Sequence, residues 1–532
     1  MTTVSSVSRP DLVPVPPVQA AVAARAQQAS TAAAVAPASS SHVALGQSGN
    51  GASVYLPDGT LPGVTRIWAY SANDAVTQRM AANFGSGTAA GRLDGLGAAL
   101  LERAMEGGQF TQSVWTAGSS SLSLDAVDTT LALPQTGNYV AMDIKTTGGA
   151  TVRLAIGSQD DALSVQVEVT GGTLSDTEKA ALAKLAKGFQ AALDGLTAQP
   201  PKLDLAALTQ YDSTAIASID LHANVKTASN QNQSLAFHAD GVSRSVHAEG
   251  PEGTVQISVD LSKSAMLGNP AQRERAVQSY LEQFDDASNR GRGGAALTAM
   301  FKSAFADLHS DYGSATGKSA PTSRLGSILN DSSRSMLTGL ADFTASVADQ
   351  ARAVNPLRAE ETDGFSYQAS QQTDTSGTGR SFGIRQSQQS QLTASFHDAL
   401  SPELSLMLTT DPLSQNYLYT QINDKASSDT NLSFHDGKMV KATLNQTADE
   451  SRRVMKYVRG QLEQDTTTPH HEAREWNLLA MVEAAQQYDE TRQRPDGSQL
   501  QATLSTISNL VLLQSRPSAL LGKPSGGPAA SE

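Results

Sequence analysis

Val140-Ala-Met142-Asp-Ile144-Lys-Thr-Thr147-Gly148-Gly149-Ala150-Thr-Val152-Arg-Leu154-Ala-Ile156 carries a large apolar side chain at every second position on both sides of a Gly-Gly turn. A period of two is the spacing of one face of a β-strand, so the stretch predicts two antiparallel strands with one wet face. Val165, Val167 and Val169 repeat the alternation after Asp160-Asp161 and extend the meander. Ser175-Asp176-Thr177-Glu178 then reads as a capping box, in which the Ser175 hydroxyl accepts from the third helical amide and Glu178 reaches back. From there the period is helical. Leu182, Leu185, Phe189, Leu193 and Leu196 form an apolar stripe that Gly195 and Pro200-Pro201 bring to an end.

Outward from this stretch, the same order of sheet then helices recurs. Two helices are expected upstream, at 74–84 and 92–106, after a short strand at Val54–Leu56 and an Asp58-Gly59 turn. Downstream, Ile219, Leu221, Ala223 and Val225 alternate with polar residues, Leu235, Phe237 and Ala239 lead into an Asp240-Gly241 hairpin, and Val255, Ile257, Val259 and Leu261 close a second meander. Asn269-Pro270 supplies the N-cap and first-turn proline of a helix. Leu297, Met300, Phe301, Ala304, Phe305 and Leu308 make its partner, and a broken helix is expected over 323–354. A third, markedly polar β-rich block spans 364–447, followed by expected helices at 449–464, 469–492 and 498–513.

These elements predict an α+β protein of two or three antiparallel-sheet-plus-helix units with disordered N- and C-terminal segments. The expected boundaries are 1–50 (Ala/Ser/Pro-rich and disordered, with a transient helix at 20–35), 51–199, 200–355, 356–515 and a disordered tail at 516–532. Pro200-Pro201 is the candidate stiff junction. Ser234-Leu-Ala-Phe237-His238-Ala-Asp240-Gly241 resembles Asn431-Leu-Ser-Phe434-His435-Asp436-Gly437, and each precedes a Leu-Glu-Gln triplet, at 281–283 and 462–464. A duplicated unit is one reading of that match.

With 532 residues, 39% hydrophobic and 5% aromatic, the chain exceeds one ordinary core and is lean for its size. A net charge of −13 argues against broad capture of nucleic acid or anionic membrane. The absence of cysteine removes disulfides, thiol catalysis and thiolate metal sites. It suits a chain exported unfolded and equally a cytoplasmic chain that lacks cysteine by chance. The first residues lack a basic stretch followed by an apolar one, so a cleaved signal is not expected, and no apolar run is long enough for a membrane-spanning helix.

Three local patterns imitate catalytic motifs. Gly379-Arg-Ser381-Phe-Gly383 has the spacing of a nucleophile elbow, but the polar residues before it do not make the buried strand such a serine needs, so a loop between two polar strands is expected. Gly313-Ser-Ala-Thr-Gly317-Lys318-Ser319 is one residue short of a phosphate-binding loop and follows a helix rather than a strand. His471-Glu472-Ala-Arg-Glu475 opens like a zinc-protease helix, yet its second histidine is Glu475. Among the remaining histidines, His222, His238 and His247 fall on the wet side of the second meander. A hairpin centred near Asn230 would make His222 and His238 cross-strand neighbours able to share a metal or sense pH, or simply two polar residues on a solvated face.

No catalytic residue and no cofactor is assigned from these patterns. The expected function is that of a non-catalytic interaction or structural protein with protein partners, exported without a cleaved signal and associated with a surface or appendage. The alternatives are a hydrolase-type enzyme whose site is assembled from distant residues and a cytoplasmic assembly factor.

Overall fold

The strand-forming stretches all join one sheet. In the computed structural model, which describes residues 66–71, 73–116, 137–227, 229–263, 266–310, 312, 329–492 and 497–521, a single antiparallel sheet of 16 strands runs through the chain. The strands are β1 (Arg66–Trp68), β2 (Gln109–Thr116), β3 (Asn138–Thr146), β4 (Thr151–Gln159), β5 (Ala162–Thr170), β6 (Ile216–Lys226), β7 (Asn232–Asp240), β8 (Ser243–Gly250) and β9 (Gly253–Asp260). They continue as β10 (Asp342–Asp349), β11 (Arg352–Ala353), β12 (Thr362–Thr378), β13 (Ser381–Ala399), β14 (Tyr417–His435), β15 (Lys438–Val458) and β16 (Gln461–Asn477). Their order is β1-β2-β5-β4-β3-β6-β7-β8-β9-β10-β12-β13-β14-β15-β16, with β11 paired to β12 alone.

The expectation of two or three separate sheet-plus-helix units is therefore corrected. β6 pairs directly with β3, Met142 opposite Leu221, so the sheet continues past Pro200-Pro201 without a break. β10 likewise joins β9 to β12, Ala345 lying between Ile257 and Ala369. Recurrence of sheet and helix in the sequence records where helices are inserted between strands of the one sheet.

Helices α1 (Ala75–Asn83), α2 (Ala89–Leu93), α3 (Leu96–Ala104), α4 (Asp176–Thr197), α5 (Ala206–Thr209), α6 (Pro270–Gly291) and α7 (Ala295–His309) pack their apolar faces into the sheet's main hydrophobic cluster. α4 is capped as the sequence predicts, Ser175 Oγ accepting from the Glu178 amide at 3.4 Å while the Glu178 carboxylate accepts from the Ser175 amide at 2.8 Å. Its stripe, Leu182, Leu185, Phe189, Leu193 and Leu196, is buried. α6 and α7 bring Tyr280, Phe284, Phe301 and Phe305 against Phe343 and Tyr367 of the sheet, with Tyr280–Phe343 and Phe284–Phe305 meeting edge to face at 5.0 Å. Among the described residues the remaining α-helices are α8 (Asp331–Arg334), α9 (Leu478–Thr491), α10 (Ser498–Leu510) and α11 (Pro517–Leu521).

Five expectations fail towards the C-terminus. Residues 342–349, placed in a broken helix, form β10; 449–464, expected helical, belong to β15 and β16. The helix expected from 469 begins only at Leu478, because β16 runs on to Asn477. The Leu-Glu-Gln triplet at 462–464 is thus in a strand, whereas the one at 281–283 is in a helix, so the apparent duplication is confined to two hairpin ends. The tail from Arg516 is folded as far as Leu521: Arg516 pairs with Asp286 at 2.9 Å, and Leu520 is buried. The N-terminal segment 1–50 with its helix at 20–35, the strand at Val54–Leu56, and the Lys318 loop lie outside the described residues.

Among the described residues no helix is long and apolar enough to cross a membrane.

Candidate functional site

On the face opposite the helices, the sheet presents short polar side chains. Along one row the registers run Asp143, Asp220, His238, Ser245, Ser258, Thr344, Ser370, Gln389, Ser427 and Thr447 across ten strands. His222 and His238 lie on this face, but the hairpin centres one residue earlier than predicted. His222 is opposite Ala236, and His238 is opposite Asp220, so the two imidazoles are diagonal neighbours. His238 Nδ1 sits 2.7 Å from Asp220 and its Nε2 sits 3.3 Å from Asp240. The hydrogen bond to Asp220 raises the imidazole pKa above its ordinary value and lowers that of Asp220. Among the described residues no group of three or more His, Asp or Glu side chains is arranged to hold a metal ion.

The other motifs land on hairpins and edges. Gly379-Arg380 turns β12 into β13, and Ser381 opens the second strand at an exposed position. The His435 ring lies 3.5 Å from its hydroxyl, and Asp436 meets the same hydroxyl with its main-chain N–H rather than its carboxylate. His470, His471 and Glu472 are in the middle of the edge strand, where His471 Nδ1 is 2.6 Å from Asp449. On a strand, His471 and Glu475 stand roughly 13 Å apart, too far for the shared metal that one helical turn would allow.

A more concentrated arrangement occupies the end of the sheet where β12–β15 extend beyond the helices. His397 of β13, whose side chain has no exposed surface, faces Asp363 through Nδ1 at 2.6 Å and Glu361 through Nε2 at 3.4 Å. The Tyr417 hydroxyl donates to Glu361 at 2.6 Å. Burial, reinforced by that bond, holds the phenol far above its ordinary range. Arg358 lies 3.6 Å from Glu361 and 4.3 Å over the Tyr457 ring. The chain gives no local sign of this cluster, because Glu361, His397, Tyr417 and Tyr457 come from four separate segments.

The segment that joins β13 to β14, residues 400–416, lies against this cluster. Leu406 and Leu408 pack on Tyr417, Tyr419, Met455 and Tyr457, while Met407 between them is 72% exposed. Its position is fixed by hydrogen bonds: Gln415 Nε2 donates to Thr409 O at 2.9 Å, Asn355 to Gln415 at 2.7 Å, and the Gly460 amide to Gln415 O at 2.9 Å. Leu404, Leu413, Leu357 and Leu462 are exposed around it. The segments bearing Leu357 and Leu462 meet where Arg358 donates to Gly460 O at 3.1 Å.

Recesses also lie elsewhere among the described residues. One of about 610 Å³ separates the start of α6 from α10, lined by Asn269, Gln272, Arg275, Arg334 and Ser508 among others. A second, of about 520 Å³, lies by the end of α6. There Arg290 is held by Asp424 and Glu450, Arg292 by Asp398, and Arg516 by Asp286.

Comparison of the chain with protein-family models, curated proteins and solved structures finds no match.

Proposed function

We propose that this is a non-catalytic interaction protein, and that the loop end of its sheet is the surface that meets the partner. One observation carries the reading. Of the nine large apolar side chains exposed among the described residues, five (Leu357, Leu404, Met407, Leu413 and Leu462) belong to this end. Exposed apolar residues scattered singly need no explanation, whereas a gathering on an ordered segment marks a place where surface is to be covered. The segment's own backbone bonds and the inward anchors Leu406 and Leu408 support a preformed display.

A photo-crosslinking residue placed at Met407 or Leu413, with Gln389 on the polar face as the reference position, tests this in the native setting. A discrete adduct from the loop positions and none from Gln389 is expected. Equal labelling at all three, or none at the loop, overturns the proposal.

A second reading, a catalytic one, is favoured by the enclosed Asp363–His397 and Glu361–Tyr417 pairs. It requires that His397→Gln abolish a biological activity that Met407→Ser leaves intact. The opposite pattern supports the interaction surface.

A further inference from the structure

We infer that the loop end takes a cationic amphipathic segment, a helix whose apolar stripe is edged by Lys or Arg. The inference rests on the loop end being the partner surface and adds the partner's chemistry.

Carboxylates are interleaved with the exposed apolar side chains. Glu403 precedes Leu404, Asp411 comes two residues before Leu413, and Glu360 comes three after Leu357. All three are exposed and make no ion pair among the described residues. The cations nearby are largely engaged: Lys456 holds Glu463 at 2.9 Å, and Arg358 is turned inward on Glu361 and the Tyr457 ring. Arg459 of the β15–β16 turn and Arg352 of β11, which pairs opposite Asp363, are the exposed cations here without an ion pair among the described residues. The surface thus carries exposed apolar side chains with three unpaired carboxylates among them, against two exposed cations, on a chain whose net charge is −13.

That pairing selects among occupants. A second copy would bring the same unpaired carboxylates against themselves, and an anionic lipid surface would be repelled by them. A helix with Leu-type anchors at every third or fourth position and flanking cations satisfies both parts at once. Met407, exposed between the inward Leu406 and Leu408, is unbranched and polarizable and adapts to the anchors it meets.

The test uses the full chain and a fluorescent peptide of about 18 Leu and Lys residues with helical amphipathic spacing. Two analogues, with Gln or Glu in place of Lys, and phosphatidylcholine vesicles serve as the competing probes. Binding is read by anisotropy in the parent, in L404S/M407S/L413S and in E360Q/E403Q/D411N, each confirmed by thermal melting to be folded. The apolar variant is expected to weaken the Leu/Lys peptide at least tenfold. The charge variant is expected to weaken it about tenfold, the sum of three exposed charge contacts, and to leave the Leu/Gln peptide unchanged. Should the Leu/Gln or Leu/Glu peptide bind as tightly as the Leu/Lys peptide through the same apolar residues, the cationic partner is refuted while the surface stands. Vesicle binding that depends on those residues, or their mediating a dimer in sedimentation, refutes it in favour of lipid or of a second copy. If no probe responds to the apolar variant, the inference and the proposed surface both fall.

Discussion

Gln388 shows how a polar side chain serves as core in this protein. It lies on the helix-covered face of β13 with no exposed surface, donates to Val511 O at 2.6 Å, and accepts from the Leu513 amide at 3.1 Å and the Tyr280 hydroxyl at 3.0 Å. Gln446 grips Leu510 O and Leu512 O, and Gln371 grips Leu340 O in the same manner. Replacing Gln388 with Leu leaves the Leu513 amide and the Tyr280 phenol without partners, while Val511 O keeps the Ser428 hydroxyl, so denaturant melts should show a loss of about 2–4 kcal/mol. The weak alternation of 386–391 follows from this: glutamine is on both faces, and a search for apolar periodicity has nothing to find. His309 gives a second residue-scale expectation. Burial pushes its imidazole down to about 4 from an ordinary 6.5, so the folded chain keeps it neutral while the unfolded chain takes up a proton below pH 6.5. Stability contributed above pH 6.5 is therefore lost progressively as pH falls to 4, by about 3 kcal/mol in all. Asp307, raised to about 6 by burial, opposes it over part of that range. The measurement is accordingly the difference between parent and His309→Leu across pH 4–7, which should shrink as the pH falls; a constant difference would show that His309 titrates normally in the fold.

At the scale of elements, legibility follows burial. α4 was readable to its cap because one face is packed and the other wet, and the same one-sided burial made β3, β5, β6, β7 and β9 readable. Ser175→Ala should cost about 0.5–2 kcal/mol and Phe189→Ala about 3–5 kcal/mol, since the first removes one capping bond and the second a buried ring. Equal effects in denaturant melts would contradict this account. β16 was unreadable for the complementary reason. Nearly all its residues are exposed, so no face imposes a period, and Thr468-Pro469-His470-His471-Glu472 imitates the start of a helix. Those residues fit an outermost strand: Pro469 offers no amide to a further strand, and the charges around it discourage one. Pro469→Val combined with Glu472→Val should leave the fold intact but raise light scattering on incubation; an unchanged signal would show that something else protects this edge. The enclosed His397 cluster was hidden for a third reason, being assembled only when β12–β15 are in register.

For the molecule as a whole, one sheet implies one cooperative unit. The loss caused by Phe189→Ala should move the unfolding seen by Trp476 in β16 as far as that seen by Trp68 and Trp115 in β1 and β2, at the other side of the sheet. Variants retaining Trp476 alone, or Trp68 and Trp115 alone, make the comparison by fluorescence. Separate midpoints would restore independent units. The strand order also bears on how the chain comes to be folded. Apart from β2–β5 and β3–β6, strands along the sheet pair with the strand synthesised immediately before or after, β11 aside. Pairings so near in sequence close short loops, and from β4 onward each strand along the sheet leaves the ribosome to meet an edge already in place. The growing sheet is then its own template. The long wait falls between β9 and β10, while the helices α6–α8 are made and an unfinished edge stands open. Substitutions in β6–β9 should therefore lower the protease resistance of ribosome-bound chains stalled after β9, and equal resistance in parent and variants would show that no edge is in place by then.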